Sequence, residues 1–209
     1  YHVLHVFMNL ALIYIFQGKL KHTFDLFDMA EQSYIKSGLD GPRALLYANR
    51  ASLYTMTGQY ELAHRSIKQS IELESNHSQP VVQHTLYTVR GMLAMVEQEY
   101  TQASIAIQKS LEIINTYQLS FKYIETQLLY IELYISQGET NEASRMLLQL
   151  NAYLKKQKMT IQDDALLCHL DCIQYYLQPQ SSPNWKKHYQ NNPRIDVQFH
   201  LNRFNLYQL

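Results

Sequence analysis

The sequence predicts an all-α chain in which antiparallel helix pairs stack into a right-handed solenoid, an α-α superhelix. Two observations predict it: a tight-turn motif that returns every 40 residues, and columns of small and large apolar side chains at fixed distances from that turn. Hydrophobic residues make up 46% of the 209 residues, enough to build a substantial core. Because one helix pair cannot bury its apolar face alone, successive pairs are expected to share one continuous core.

The repeat becomes visible when the glycines of the turns are aligned. Gly18, Gly58 and Gly138 share one local context, and Gln98 takes the missing place in the third unit. Small side chains where helices cross let two backbones approach, while larger ones fill the space between pairs. Three columns show this alternation: Ala11, Ala51, Gly91 and Ile131 before the turn, then Thr23, Ala63, Ala103 and Ala143 after it, then Phe27, Ile67, Ile107 and Leu147.

These columns predict a solenoid over 1–177, followed by a C-terminal extension over 178–209. Breaks rich in Gly and Pro, at 37–42 and 75–80, are expected to be loops that close the first two pairs. The predicted helix pairs and the capping helix after them cover about 4–36, 44–74, 82–116, 121–156 and 161–177.

The pattern fails after the capping helix, where Pro179 and Pro183 stand at the place of a second helix. The stretch from Ile195 to Phe204 alternates like a strand and also fits a helical stripe. Short helices are favoured for the extension, because a lone strand would have no sheet to join.

The columns resemble the tetratricopeptide repeat over about residues 4–154. The second unit is the closest match and reads YANRASLYTMTGQYELA from Tyr47 to Ala63. The family's period is about 34 residues, so the units here are longer. Such longer units are similar to those in the sensor arms of bacterial MalT-like transcriptional regulators and peptide-sensing regulators. The resemblance implies that the first helix of each pair lines a concave face.

That resemblance also implies a ligand groove along the concave face. Methionine thioethers on such a surface suit an apolar peptide or an amphipathic helix. The alternative is that the methionines fill the inner wall, or that the C-terminal tail covers it. The candidate binding residues are Met8, Asn9, Leu12, Asn49, Ser52, Met56, Met92, Met95, Glu125 and Glu132.

Some tetratricopeptide domains grip the C-terminal carboxylate of a chaperone with Asn and Lys or Arg side chains. Asn49 matches the clamp asparagine, but Met8, Leu12, Thr85 and Val89 stand where the other clamp residues would be. Without cations a buried carboxylate would be unpaired, so no such clamp is expected.

Composition and motifs argue against other classes of function. Lys plus Arg and Asp plus Glu number 18 each, and no basic run suits nucleic acid. The sequence has no Gly-rich phosphate loop and no His-Glu-x-x-His or Gly-x-Ser-x-Gly motif, so neither catalysis nor a cofactor is expected. No apolar run reaches the ~18 residues that cross a bilayer, so no membrane partner is expected either.

Cys168, His169 and Cys172 invite a metal interpretation, but one helix brings at best the two cysteines to one face. His169 points about 100° away from its neighbour, so burial is expected and no metal. Two cysteines are too few for a disulfide framework, which favours a reducing, cytoplasmic setting.

The predicted function is non-catalytic binding of a protein or peptide by the sensor or interaction arm of a larger bacterial regulator. Because the chain begins at Tyr1, we expect it to be a segment of a longer protein. The alternative is a free-standing adaptor that mediates assembly, including homodimerisation through an exposed apolar face. An enzyme would require chemistry in a further domain.

Overall fold

The computed structural model describes residues 6–7, 10–11, 13–15, 19–74, 79–157 and 164–178. Within these ranges all regular structure is α-helical and no strand occurs, which confirms the all-α prediction for this part of the chain. Eight helices with defined ends are α1 Leu20–Lys36, α2 Asp40–Met56, α3 Tyr60–Glu74, α4 Pro80–Val96, α5 Tyr100–Tyr117, α6 Ser120–Ser136, α7 Thr140–Lys156 and α8 Asp164–Leu177.

The helices repeat with the period seen in the sequence. The helices α2, α4 and α6 begin at residues 40, 80 and 120, and α1, α3, α5 and α7 begin at residues 20, 60, 100 and 140. Two helices and their turns therefore form one 40-residue unit. None of the helices within the described residues is long and apolar enough to cross a membrane.

The turn inside the second, third and fourth pairs has a left-handed residue at its centre. The backbone angle φ is +73° at Gly58, +61° at Gln98 and +77° at Gly138, so Gln98 does occupy the place of the missing glycine. The residue after it closes the turn by donating its N–H, at 2.8 Å in each case, to a carbonyl five residues back: Gln59 to Tyr54, Glu99 to Ala94, and Glu139 to Tyr134. This bond satisfies a carbonyl that the helix end leaves free.

The loops predicted at 37–42 and 75–80 are shorter than expected. The helix α2 begins at Asp40 and α4 at Pro80, so Pro42 and Pro80 both lie in a first helical turn. Proline is tolerated there because the N–H that it lacks has no partner within the helix. The prediction of a loop through both prolines was therefore wrong at its C-terminal end.

Each helix packs against the next one along the chain. The most extensive contacts are those of α2 with α3 and of α4 with α5. In addition, α2 contacts α4, α4 contacts α6 and α6 contacts α8. The small residues of the columns lie at these crossings. A Cβ at Gly91 would come within 2.8 Å of Ile107 Cγ1, so glycine lets α4 and α5 approach closely.

The buried apolar residues form four successive clusters within the described residues. Each cluster draws on neighbouring helices: for example, Met92, Ile107 and Leu129 join α4, α5 and α6. Met56 packs against two of these clusters: the one that contains Phe27 and Leu46, and the one that contains Met92 and Ile107. Burial of this apolar surface is the main favourable contribution to folding.

Candidate functional site

The concave groove predicted from the sequence has ten candidate residues. Three of the ten candidate residues, Met8, Asn9 and Leu12, lie outside the described residues. The other seven lie at two depths. Four are half-buried, namely Asn49, Ser52, Met56 and Glu125, and three are buried, namely Met92, Met95 and Glu132.

The three buried candidates are covered by the neighbouring helix. Met92 and Met95 are each 2% exposed and belong to the core cluster between α4 and α6. Ser52 Oγ lies 4.0 Å from Met92 Sδ, and these two residues occupy the same place in successive units. The side chains of Met92 and Met95 are thus packed between helices, because successive first helices lie side by side along this face.

The contacts between first helices form a line of polar interactions, which we call the first-helix seam. It consists of Ser52 with Met92 between α2 and α4, His84 with Thr126 between α4 and α6, and Glu132 with His169 between α6 and α8. The partners are about one repeat apart in sequence. No local pattern could have paired them.

His84 is the most polar group at the centre of this seam. Its Nε2 lies 3.0 Å from Thr126 Oγ1, and its Nδ1 has no hydrogen-bond partner among the described residues. Burial, together with the nearby Lys122 ammonium, lowers the pKa of His84 to about 4, while Glu125 acts in the opposite direction. The ring is therefore neutral at neutral pH.

Glu132 and His169 form a buried pair at the last contact of the seam. Glu132 Oε1 lies 2.6 Å from His169 Nε2, and Glu132 Oε2 has no hydrogen-bond partner in the described part of the chain. Both side chains are closed to solvent, Glu132 being 1% exposed. The pair consequently attaches α8 to α6 and offers no access to a substrate. Cys172 on the same helix is buried as well.

Arg50 joins α1 to α2 through two carboxylates. Its Nη1 donates to Glu31 at 2.6 Å, and its Nη2 forms an ion pair with Asp28. The hydroxyl of Tyr47 donates to Glu31 as well. Burial raises the pKa of Tyr47, and the Glu31 carboxylate raises it further. Both terminal nitrogens of Arg50 are thus bonded within the chain, while its buried Nε has no hydrogen-bond partner among the described residues. Sequence reasoning did not single out this residue.

An open groove lies between α3, α4 and α5, and we call it the α4 groove. Its volume is about 320 Å³. Buried side chains, among them Ile67, Leu93, Ala94 and Ala106, form an apolar floor. The groove thus combines an apolar floor with polar side chains around it.

The rim of the α4 groove is polar and carries charges of both signs. Arg90 and the half-buried Tyr87 lie towards one end, and the guanidinium carbon of Arg90 is 5.7 Å from the centre of the Tyr87 ring. Towards the other end His64 Nε2 lies 2.8 Å from Glu97 Oε1, and Glu99 is exposed nearby.

Ile105 on the rim is 48% exposed. The equivalent positions of the other units carry the charged residues Asp25, Arg65 and Arg145. An exposed isoleucine in an otherwise charged column was the sequence signal that could have located this groove. None of the ten predicted residues lines it, because the prediction considered only the inner face of the first helices.

No family model and no curated protein matches the chain. The tetratricopeptide resemblance therefore rests on the sequence columns and on the 40-residue spacing of the helices. In the part of the chain that the structure describes, no group of three or more metal-ligating side chains occurs.

Proposed function

We propose that this chain is a non-catalytic module that binds a segment of another protein or a peptide. In this proposal its tetratricopeptide-like pairs stack as a right-handed solenoid. The α4 groove is the observation that carries the proposal, since it combines an apolar floor, a polar rim and an exposed Ile105. Large apolar side chains that a soluble protein leaves beside a groove are typical of interaction sites.

The repeat architecture supports a role in binding. Contacts among the described helices join neighbours along the chain and successive first helices. In such arrays small rotations between units add along the length, so a ligand on one unit can change the shape of the whole. We propose on this basis that the chain is the sensor or interaction arm of a larger bacterial regulatory protein in the cytoplasm.

A second candidate function is a free-standing adaptor that assembles with itself. Large exposed apolar residues on several helices favour it, including Met29 on α1, Ile71 on α3 and Leu148 on α7. Sedimentation of the purified chain distinguishes the two candidates. A mass that rises with concentration in the absence of ligand supports the adaptor, and a constant monomer mass supports the arm.

Peptide selection tests the binding function directly. We expect a random library of twelve-residue peptides, displayed on phage, to yield sequences that bind the purified chain. Ile105→Arg places on the groove rim the residue that its column has at Arg65 and Arg145. Because Ile105 is half exposed, this change should leave the melting temperature within ~2 °C and weaken binding at least tenfold.

Leu148→Arg is the matched control, since it puts the same charge at an exposed apolar position of another helix. It should leave peptide binding unchanged. Peptides that bind Ile105→Arg as well as the unmodified chain would place the binding surface elsewhere. A library that yields no binding peptide would contradict the proposed function itself.

A further inference from the structure

One position of the repeat links a second helix to the first helix of the next unit in two of the described interfaces. Between α1 and α2 it holds the ion pair of Asp28 with Arg50, which are 22 residues apart. Between α5 and α6 it holds Gln108, whose Nε2 donates to Tyr130 Oη at 3.0 Å, again 22 residues apart. The same place therefore contains a charged bond in one interface and a neutral bond in another.

The interface between these two, from α3 to α4, has Lys68 and Arg90 at this position. Two cations cannot bond to each other. Ile71 stands at the place of Glu31, the second carboxylate that Arg50 contacts. Arg90 forms no ion pair in the described part of the chain, and the Lys68 ammonium has only Glu72, at 4.0 Å on the same exposed helix face.

The tyrosine that contacts Arg50 nevertheless has a counterpart beside Arg90. The guanidinium carbon of Arg50 lies 5.9 Å from the centre of the Tyr47 ring, and that of Arg90 lies 5.7 Å from the centre of the Tyr87 ring. A guanidinium held on an aromatic ring is pre-positioned for a carboxylate, which it can bind through two parallel hydrogen bonds. At Arg90 the tyrosine and the arginine are kept, and the described part of the chain supplies no carboxylate to the guanidinium.

We propose that the carboxylate comes from a partner, so that the α4 groove binds a protein segment with an acidic side chain next to a large apolar one. This inference rests on the proposed peptide-binding function. The acidic side chain would contact Arg90 and Lys68, in the way that Asp28 and Glu31 contact Arg50. The apolar side chain would cover the groove floor beside Ile105.

The charges of the groove also set the direction of the bound segment. Glu97 and Glu99 lie at the end away from Arg90, and among the described residues Glu97 alone of the two forms an ion pair, with His64. Arg90 lies on α4, and Glu97 directly follows the last residue of this helix, seven residues later, which is about 10 Å along the helix axis. An acidic residue is therefore attracted to the Arg90 end and repelled from the other end, where a cation of the partner is favoured.

The decisive variant gives Arg90 partners within the chain. Lys68→Asp combined with Ile71→Glu copies the carboxylates of α1 onto α3. We expect this variant to melt at the same or a higher temperature, because Arg90 becomes paired as Arg50 is. It should bind the selected peptides at least ~10-fold more weakly, since its own carboxylates occupy the guanidinium.

A second variant, Lys68→Gln with Arg90→Tyr, copies the neutral bond between α5 and α6. This variant should bind the selected peptides with the same affinity as versions of them in which Glu is replaced by Gln and Asp by Asn. The unmodified chain should bind the acidic peptides more tightly than the neutral versions. Lys155→Asp on α7 is the control for a change of charge and should have no effect. Peptides that need neither an acidic residue nor Arg90, yet still lose binding on Ile105→Arg, would overturn this inference and leave the proposed function standing.

Discussion

Gln98 shows how one residue can depart from its column without changing the backbone. Its φ of +61° lies in the left-handed region that glycine occupies in the turns at Gly58 and Gly138. An L side chain is disfavoured there because its Cβ crowds the following carbonyl oxygen. The turn is imposed on Gln98 by the helices on either side.

Gln98→Gly should therefore stabilise the protein. Removing the side-chain strain outweighs the larger backbone entropy that glycine loses on folding, and we expect a gain of about 0.5–1 kcal/mol in the free energy of unfolding. Urea denaturation measures it. Gly58→Gln, the reverse change in the second unit, should cost a similar amount. A loss of stability in Gln98→Gly would mean that the glutamine side chain has a stabilising contact.

The buried His84 predicts a dependence of stability on pH. Its pKa is about 4 in the folded chain and about 6.5 when exposed, so between these values the unfolded chain binds the proton and the folded chain does not. Stability from this group is thus complete above pH 6.5 and falls as the pH is lowered towards 4. From pH 7 to pH 5 the loss is about 2 kcal/mol.

His84→Gln should remove this part of the pH dependence, and urea denaturation at pH 7 and pH 5 tests it. The variant is expected to be less stable at pH 7 and to lose about 2 kcal/mol less than the unmodified chain on acidification. His64→Gln, at an exposed histidine on α3, is the control. Equal slopes for the His84 variant and the unmodified chain would contradict the assignment.

At the scale of elements, α8 is attached to α6 through a buried polar pair. The interfaces of α8 with α6 and α7 are less extensive than those within the pairs α2–α3 and α4–α5. The Glu132–His169 pair lies in that limited interface. Removing one partner of a buried pair leaves the other without a counterpart, which costs far more than replacing both.

Glu132→Leu should therefore weaken the attachment of α8 more than Glu132→Leu combined with His169→Leu. We expect the single change to cost about 3 kcal/mol and the double change to recover most of that loss. Amide hydrogen exchange of residues 164–178 reports on α8 separately from the rest. A double variant that is no more stable than the single one would show that the pair does not act as a unit.

At the scale of the whole molecule, the 40-residue period of the sequence equals the spacing between the first residues of equivalent helices. The period appears because the units repeat the same types of residue at the same positions. These are a left-handed turn residue, small residues where helices cross and large ones between the crossings. These act over a few residues, so they could be identified without knowing the neighbours. The solenoid arrangement itself stays a prediction, supported by the succession of contacts among first helices.

The sequence by itself determined the helical class, the unit length and the turn at Gln98, because helices and turns depend on hydrogen bonds and packing between residues close in the chain. Tertiary structure decided which faces stay open. Met92, Met95 and Glu132 have the spacing of an inner surface, yet the next helix covers them. The α4 groove likewise depends on three helices at once. Arg90, which forms no ion pair among the described residues, is informative only beside Arg50, whose partners lie on another helix. Burial and pairing across 22 to 42 residues are properties of the packed units, and no single helix contains them.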